Sequence, residues 1–304
     1  MKLIVPDYYP EFRCIAGACR HSCCIGWEID IDEETCARYR NESGSLGARL
    51  RENMDCSDTT ASFRLDDRER CPFLTQEGLC DIILHLGENA LCQICRDHPR
   101  FRADFSDRTE MGLGLCCEEA ARMLLTHESP VKLIILSDDG GDESLTAEEA
   151  DLIARRDALI AIAQDRCDSA EIRMDRLCTA AGTVRPVSDF ARWAEFYLSL
   201  EHMDPAWEKL LREAMVNQPH KQIPETAKEQ LLVYFLFRHV SSACDDMDFA
   251  ARAAFAALST EMIAEITARS DTPLSETARL YSAEVEYSEE NTEELLAELS
   301  PFTY

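Results

Sequence analysis

The chain has 304 residues, 46% of them hydrophobic, with 31 basic against 58 acidic side chains and a formal charge of -27. That length allows two domains with real cores, while the charge repels polyphosphates and anionic bilayers, which excludes nucleic acid and membrane surfaces as partners and favours a basic protein surface. No run of about eighteen apolar residues occurs and the start, Met1-Lys2-Leu3-Ile4-Val5-Pro6, has no long apolar leader, so a cytoplasmic protein is expected.

In chain order, the first 130 residues read as short segments between cysteines, with a helix over 33–52 and another over 118–127. The run Val131-Lys132-Leu133-Ile134-Ile135-Leu136 fits a strand or the end of that second helix, because short apolar runs do not settle the type. The small, acidic stretch Ser137-Asp138-Asp139-Gly140-Gly141-Asp142-Glu143-Ser144 reads as a linker. It divides the chain into a cysteine-rich metal-binding module, 1–137, and a helical domain, 138–304. Thr146 and Glu149 have capping-box spacing. From there the periodicity predicts helices near 146–165, 169–181, 188–203, 205–216, 224–241, 245–268, 275–284 and 291–299, with starts marked by Ser188, Pro205 and Pro224. The segment Gln230-Leu231-Leu232-Val233-Tyr234-Phe235-Leu236-Phe237 is apolar on nearly all sides and reads as the buried central helix. The expected fold is mostly α, an irregular cysteine-rich N-terminal module packed on a helical C-terminal domain.

Twelve of the fifteen cysteines fall within the first 117 residues. Without an export signal that density points to thiolate ligands for a metal rather than to disulfides. Cys14, Cys19, Cys23 and Cys24 lie within eleven residues, short enough for the sulfurs to converge on one ion or cluster. Cys71 and Cys80 flank a turn at Glu77-Gly78, and Cys92-x2-Cys95 has chelating spacing. Eight thiols suffice for two four-cysteine sites or for one with spares, and spacing does not separate iron from zinc. Cys117, at a helix start, is a ninth candidate. Cys36, Cys56, Cys167, Cys178 and Cys244 read as buried packing residues. His85 and His98 are candidate substitutes for a thiolate, and Tyr8 and Tyr9 are candidate borders of a substrate pocket.

The chain resembles the flagellin lysine-N-methylase (FliB-like) family and its zinc- or iron-chelating module. The resemblance rests on Pro6-x-Tyr8-Tyr9-x2-Phe12-x-Cys14, Cys19-x3-Cys23-Cys24-x-Gly26-Trp27, Cys71-Pro72-Phe73-Leu74, Gly78-Leu79-Cys80, Leu91-Cys92-x2-Cys95, Pro99-Arg100 and Cys117-x-Glu119-Ala120-Ala121-Arg122. It departs at His98, where the family has an aromatic residue, and at Cys116 and Glu118, where serine and proline are expected. What the resemblance implies is methyl transfer from S-adenosylmethionine to lysine ε-amines of flagellin, dependent on an iron-sulfur cluster of the 4Fe-4S type, with zinc as the alternative metal. Trp27, Arg96 and Arg100 are the candidate cofactor-binding residues.

No glycine-rich cofactor loop accompanies these cysteines, Gly112-x-Gly114 being too short a pattern. The three-cysteine spacing of radical S-adenosylmethionine enzymes is absent too, since Cys14, Cys19 and Cys23 are separated by four and three residues. The cluster itself is then the expected anchor for the methyl donor. The alternatives are a non-catalytic zinc- or iron-binding interaction protein and an electron-transfer iron-sulfur protein.

Overall fold

The computed structural model describes residues 1–26, 28–56, 61–186 and 189–300. Its contacts divide the chain into two compact units, one made of Met1–Phe12 with Phe101–Tyr304 and the other of Arg13–Arg100. This division differs from the expected one at 137/138, and the reason is strand pairing. The opening strand β1 (Lys2–Pro6) belongs to a sheet whose other members lie beyond residue 99, so the chain leaves that sheet, builds the cysteine-rich unit, and returns.

Within the 13–100 unit the predicted 33–52 helix is two helices, α1 (Glu33–Asn41) and α2 (Gly44–Asn53). The break falls at Glu42, whose backbone is extended, and at Gly44, whose φ of 74° suits a residue without a Cβ. The short hairpin strands β2 (Met54–Cys56) and β3 (Ala61–Phe63) follow, then α3 (Asp81–Leu86) and α4 (Gln93–Asp97). A small core holds this unit together: Ile29, Tyr39, Leu50, Phe63, Phe73 and Cys92 are all buried in it.

In the other unit β4 (Arg100–Asp104) and β5 (Arg108–Leu113) precede α5 (Glu118–Thr126), and the ambiguous 131–136 run is a strand, β6 (Leu133–Asp138). The sheet order is β4-β5-β1-β6, with β1 parallel to β5, Leu3 opposite Thr109, and antiparallel to β6, Val5 opposite Ile134. Gly112 on β5 has a steric role: a Cβ there would collide with the ring of Phe101.

Eight helices complete the chain and follow the predicted ones closely: α6 (Ala147–Ala163), α7 (Ala170–Ala180), α8 (Phe190–Ser199), α9 (Pro205–Val216), α10 (Glu225–His239), α11 (Asp246–Arg269), α12 (Leu274–Tyr281) and α13 (Glu289–Glu298). The expected start at Ser188 lies outside the described residues, and Asp189 caps α8. The capping box of Thr146 and Glu149 is formed, and Ser169, Asp204 and Asp245 each cap a helix through the side chain. The central α10 is buried nearly all round and packs on α11, whose small Ala253, Ala254, Ala256 and Ala257 are buried in the same core. The predominantly α class is therefore as expected, with thirteen α-helices among the described residues.

Buried polar clusters tie this apolar unit together, among them one at Arg156 and one at Glu286. Arg156 of α6 is fully buried, ion-paired to Glu110 of β5 and bonded to Ser241 at 2.7 Å and Asp157 at 2.8 Å, so it ties sheet to helices. Where α12 ends, the backbone widens into a π-helical turn over Ser282–Glu286 and delivers Glu286 into the core. Its carboxylate accepts hydrogen bonds from Tyr234 at 2.9 Å and His239 Nε2 at 2.7 Å and pairs with Arg238 at 3.3 Å. Burial pushes Glu286 up, but Arg238 and His239 outweigh it and hold the carboxyl below its usual range. Burial also pushes His239 below its usual range, against the pull of Glu286, so the ring is neutral at pH 7 and donates through Nε2.

Removing one partner of a buried ion pair strands the other charge, so Glu110→Ala should cost about 3–5 kcal/mol in urea denaturation. A Glu110→Leu, Arg156→Met double variant should recover most of it. The lowered His239 pKa sets a pH dependence: unfolding restores its ordinary proton affinity, so stability is present above about pH 6.5 and lost as pH falls below it. Glu286, also depressed, extends the loss below the usual carboxylate range. The urea midpoint should drop between about pH 7.5 and pH 5, and drop less in His239→Gln.

Candidate metal centre

Backbone pairing brings together cysteines that are far apart in sequence. Cys71 donates its N–H to Cys24 O at 2.8 Å and Gly26 donates to Glu69 O at 3.0 Å, which sets Cys24 beside Cys71. Gly26, with φ of 89°, turns the chain there. The Cys71-Pro72-Phe73-Leu74 segment then folds back on Cys80 through a Leu74–Cys80 bridge and an Asp81 N–H to Phe73 O bond of 2.7 Å. The predicted turn at Glu77-Gly78 is present, closed by Thr75 N–H to Leu79 O at 2.8 Å. Gly17, in the middle of the Cys14 to Cys19 loop, lies against this turn: a Cβ would come within 3.1 Å of Glu77 O. The first cysteine loop and the turn leading to Cys80 are thus neighbours because Gly17 has no side chain.

Cys80 caps α3 and Cys92 caps α4, with Cys95 one turn further along α4. At these positions sulfur sits at a helix N-terminus, where peptide N–H groups are unpaired. The backbone N–H groups of Phe73, Ile83 and Cys95 act to lower the thiols of Cys71, Cys80 and Cys92 respectively, although neither Cys80 nor Cys92 makes a side-chain capping bond to its helix.

The sulfurs also feel one another. Burial pushes Cys71 up to about 12, and negative charge on Cys24, Cys80 and Cys92 adds to it. Burial likewise raises Cys80. The Cys92 and Cys95 sulfurs are 3.4 Å apart, and the hydrogen bond between them lowers Cys92 and raises Cys95. Cys24 is lowered to about 7, first by its hydrogen bond with Cys23 and further by Ser22 and the guanidinium of Arg70, against the opposing effect of burial. Without a cation this group of sulfurs cannot all ionise, whereas a bound thiophilic metal removes that penalty.

Of the nine candidate ligands, Cys24, Cys71, Cys80, Cys92 and Cys95 are within electrostatic reach of one another, only Cys92 and Cys95 with sulfurs as close as 3.4 Å, and Cys23 acts on Cys24. Cys14 and Cys19 are on the loop seated by Gly17; Cys14 accepts the Ala16 N–H at 3.4 Å and Cys19 donates to His21 O at 3.1 Å. Cys117 belongs to the other unit, where it caps α5. Among the described residues no group of three or more Cys, His, Asp or Glu side chains is placed to hold a metal ion. The donor type, all sulfur, fits a soft metal.

The other candidates are dispersed. Trp27 lies outside the described residues. Arg96 is exposed on α4 and its carbonyl accepts from half-buried Arg100 at 3.0 Å. His85 is exposed and bonds Asp81 O at 2.9 Å; burial, then Arg100, pushes His98 down to about 4. Tyr8 is core and Tyr9 donates to Met111 sulfur at 2.8 Å, both in the sheet-bearing unit. Cys36 and Cys178 are buried as expected, but Cys56, Cys167 and Cys244 are exposed. Each of these three stands in polar surroundings at an element's edge or in a loop, where no apolar face covers it.

Spacing gives no hint of the residues that hold the Cys92 loop. Asp32 caps α1 through Thr35 N–H at 2.9 Å, and its second carboxylate oxygen accepts the Gln93 N–H at 2.8 Å. Burial pushes this carboxyl up, but those N–H bonds outweigh it and hold it below its usual range. Arg38 donates to Asn89 O at 2.9 Å and to Ala90 O at 3.2 Å, and the buried Tyr39 hydroxyl donates to Ala90 O at 2.7 Å. The one available signal was the capping pattern Asp32-x2-Thr35, which does not reveal the second contact. Losing both caps costs about 1 kcal/mol each, so Asp32→Ala should speed alkylation of Cys92 in the reduced, metal-free protein about five- to thirty-fold. Peptide-resolved alkylation kinetics measure it.

No family model and no solved structure matches the chain. It is similar to the lysine-N-methylases of Salmonella typhimurium (strain LT2) and Salmonella choleraesuis (strain SC-B67), each 25% identical over 137 residues, 42% of this chain and 33% of the relative. It is also similar to the flagellar biosynthetic protein FliU of Salmonella muenchen, 25% identical over 134 residues, 42% of this chain and 79% of the relative. The matched stretch thus covers about a third of the length of the lysine-N-methylases.

Proposed function

We propose that the chain is a protein lysine N-methyltransferase that takes its methyl group from S-adenosylmethionine, needs an iron-sulfur cluster in the 13–100 unit, and acts on lysines of flagellin. The observation that supports the metal reading is the close approach of the Cys92 and Cys95 sulfurs, 3.4 Å apart, with Cys24 paired to Cys71 by a 2.8 Å backbone bond and both of those thiols, with Cys80, within electrostatic reach. The lysine-methylating reading is supported by the similarity to lysine-N-methylases, and the flagellar substrate by FliU.

Cys24, Cys71, Cys80, Cys92 and Cys95 would hold the cluster, with Cys14, Cys19 and Cys23 on the adjoining loop as further donors. When bound, it would supply iron with an open position for the amino and carboxylate groups of the methyl donor. Arg70, beside Cys24, compensates part of the negative charge that several thiolates bring. Asp32, Arg38 and Tyr39 hold the backbone of the Cys92 loop, which supports Cys92 and Cys95 as paired donors. A lysine attacks a methyl group only as the neutral amine, so the site must take a proton from it or desolvate it. The net charge of -27 draws a lysine-bearing protein surface toward the enzyme.

Anaerobically purified protein should contain iron and sulfide by elemental analysis, and Cys71→Ser and Cys92→Ser should each lower iron content by more than half. Cluster-loaded protein incubated with flagellin and S-adenosylmethionine should add methyl groups to lysine, read by mass spectrometry. Zinc without sulfide would reject the cluster, and a verified cluster with no added methyl would reject the transferase.

A further inference from the structure

Two cysteines outside the candidate metal centre face each other. Cys36 is buried on α1 and Cys56 is exposed at the end of β2, their sulfurs 3.9 Å apart. Arg40, one helical turn beyond Cys36 on α1, has its guanidinium within electrostatic reach of the Cys56 sulfur. An exposed sulfur near a guanidinium, backed 3.9 Å away by a second buried sulfur, has the layout of an attacking thiol and a resolving thiol. Burial raises Cys36 and Cys56 raises it further, so Cys36 stays a thiol while Cys56 meets the oxidant.

We propose that Cys56 and Cys36 form a thiol modification site that takes low-molecular-weight disulfides such as oxidised glutathione. Cys56 sulfur attacks one sulfur of the disulfide; the S–S bond breaks, a mixed disulfide forms, and one small thiol leaves with the proton Cys56 gave up. Cys36 then gives up its proton and attacks the Cys56 sulfur; the second small thiol leaves with that proton, and a Cys36–Cys56 disulfide remains. Two electrons pass from the protein thiols to the reagent, and two small thiols are released. A disulfide needs sulfurs about 2 Å apart, so the pair must close by roughly another 2 Å, a shift within the reach of Cys56 at a strand end. The bond would lock α1 to the hairpin across the segment that holds α2.

The protein with its metal complement would be exposed to a glutathione redox series, quenched in acid, alkylated and mapped by peptide mass spectrometry. The expected product is a peptide pair joined through Cys36 and Cys56. In Cys36→Ser, glutathione should instead persist on Cys56. Arg40→Gln should slow modification of Cys56 roughly three- to tenfold. Exposed Cys167 serves as the internal reference and should react more slowly than Cys56. A Cys56 that reacts no faster than Cys167, that links to another cysteine, or that carries no glutathione in Cys36→Ser overturns the proposal.

Discussion

The parallel pairing of β1 with β5 constrains the whole chain. Antiparallel neighbours can be joined by two residues, but parallel ones demand that the chain cross from one end of the sheet to the other. Here β4 carries the chain back, joined to its neighbour β5 through residues 105–107, and residues 13–100, an entire unit with its own core, are inserted between β1 and β4. Its two points of departure are fixed on the sheet side by aromatic rings: Phe12 is buried in the large core, and Phe101 packs against that core over Gly112. An insertion anchored at both ends by strands loses less conformational entropy on ordering than a free tail would.

Inside that insertion the physical problem is sulfur. Burial first, and then the charge of neighbouring sulfurs, raises Cys71 and Cys80, while the bond to Cys92 raises Cys95. Backbone N–H groups near Cys71, Cys80 and Cys92, and the guanidinium near Cys24, act in the opposite direction. Low dielectric thus opposes anionic sulfur where local dipoles favour it, an opposition that a soft cation would relieve.

What the sequence revealed follows from how local each signal is. Helices α6 to α13 were legible because caps such as Thr146 and Asp204, and apolar stripes, act within a few residues. The division of the chain was not, because β1 pairs with β6 across more than a hundred residues and no local pattern encodes that. The break between α1 and α2 did have a local signal, the poor helix formers Asn41, Ser43, Gly44 and Ser45 around Glu42, which the single predicted helix runs through. For the candidate site, spacing identified Cys92 and Cys95 as partners and the turn between Cys71 and Cys80, both local features. The pairing of Cys24 with Cys71, the second contact of Asp32 and the meeting of Cys36 with Cys56 depend on backbone ladders and turns formed at long range.

The π-helical turn at Ser282–Glu286 has a consequence for how the chain tolerates change in length. A π turn holds one residue more than an α turn would. Deleting a single residue there would give a more regular helix by local criteria, yet it would swing Glu286 about a quarter turn around the axis. Arg238 would then keep a buried positive charge with no carboxylate, and Tyr234 and His239 would lose their acceptor. The irregularity is thus a phase adjustment: the helix gives up its own hydrogen-bond register so that charge balance in the core is met at one angular position.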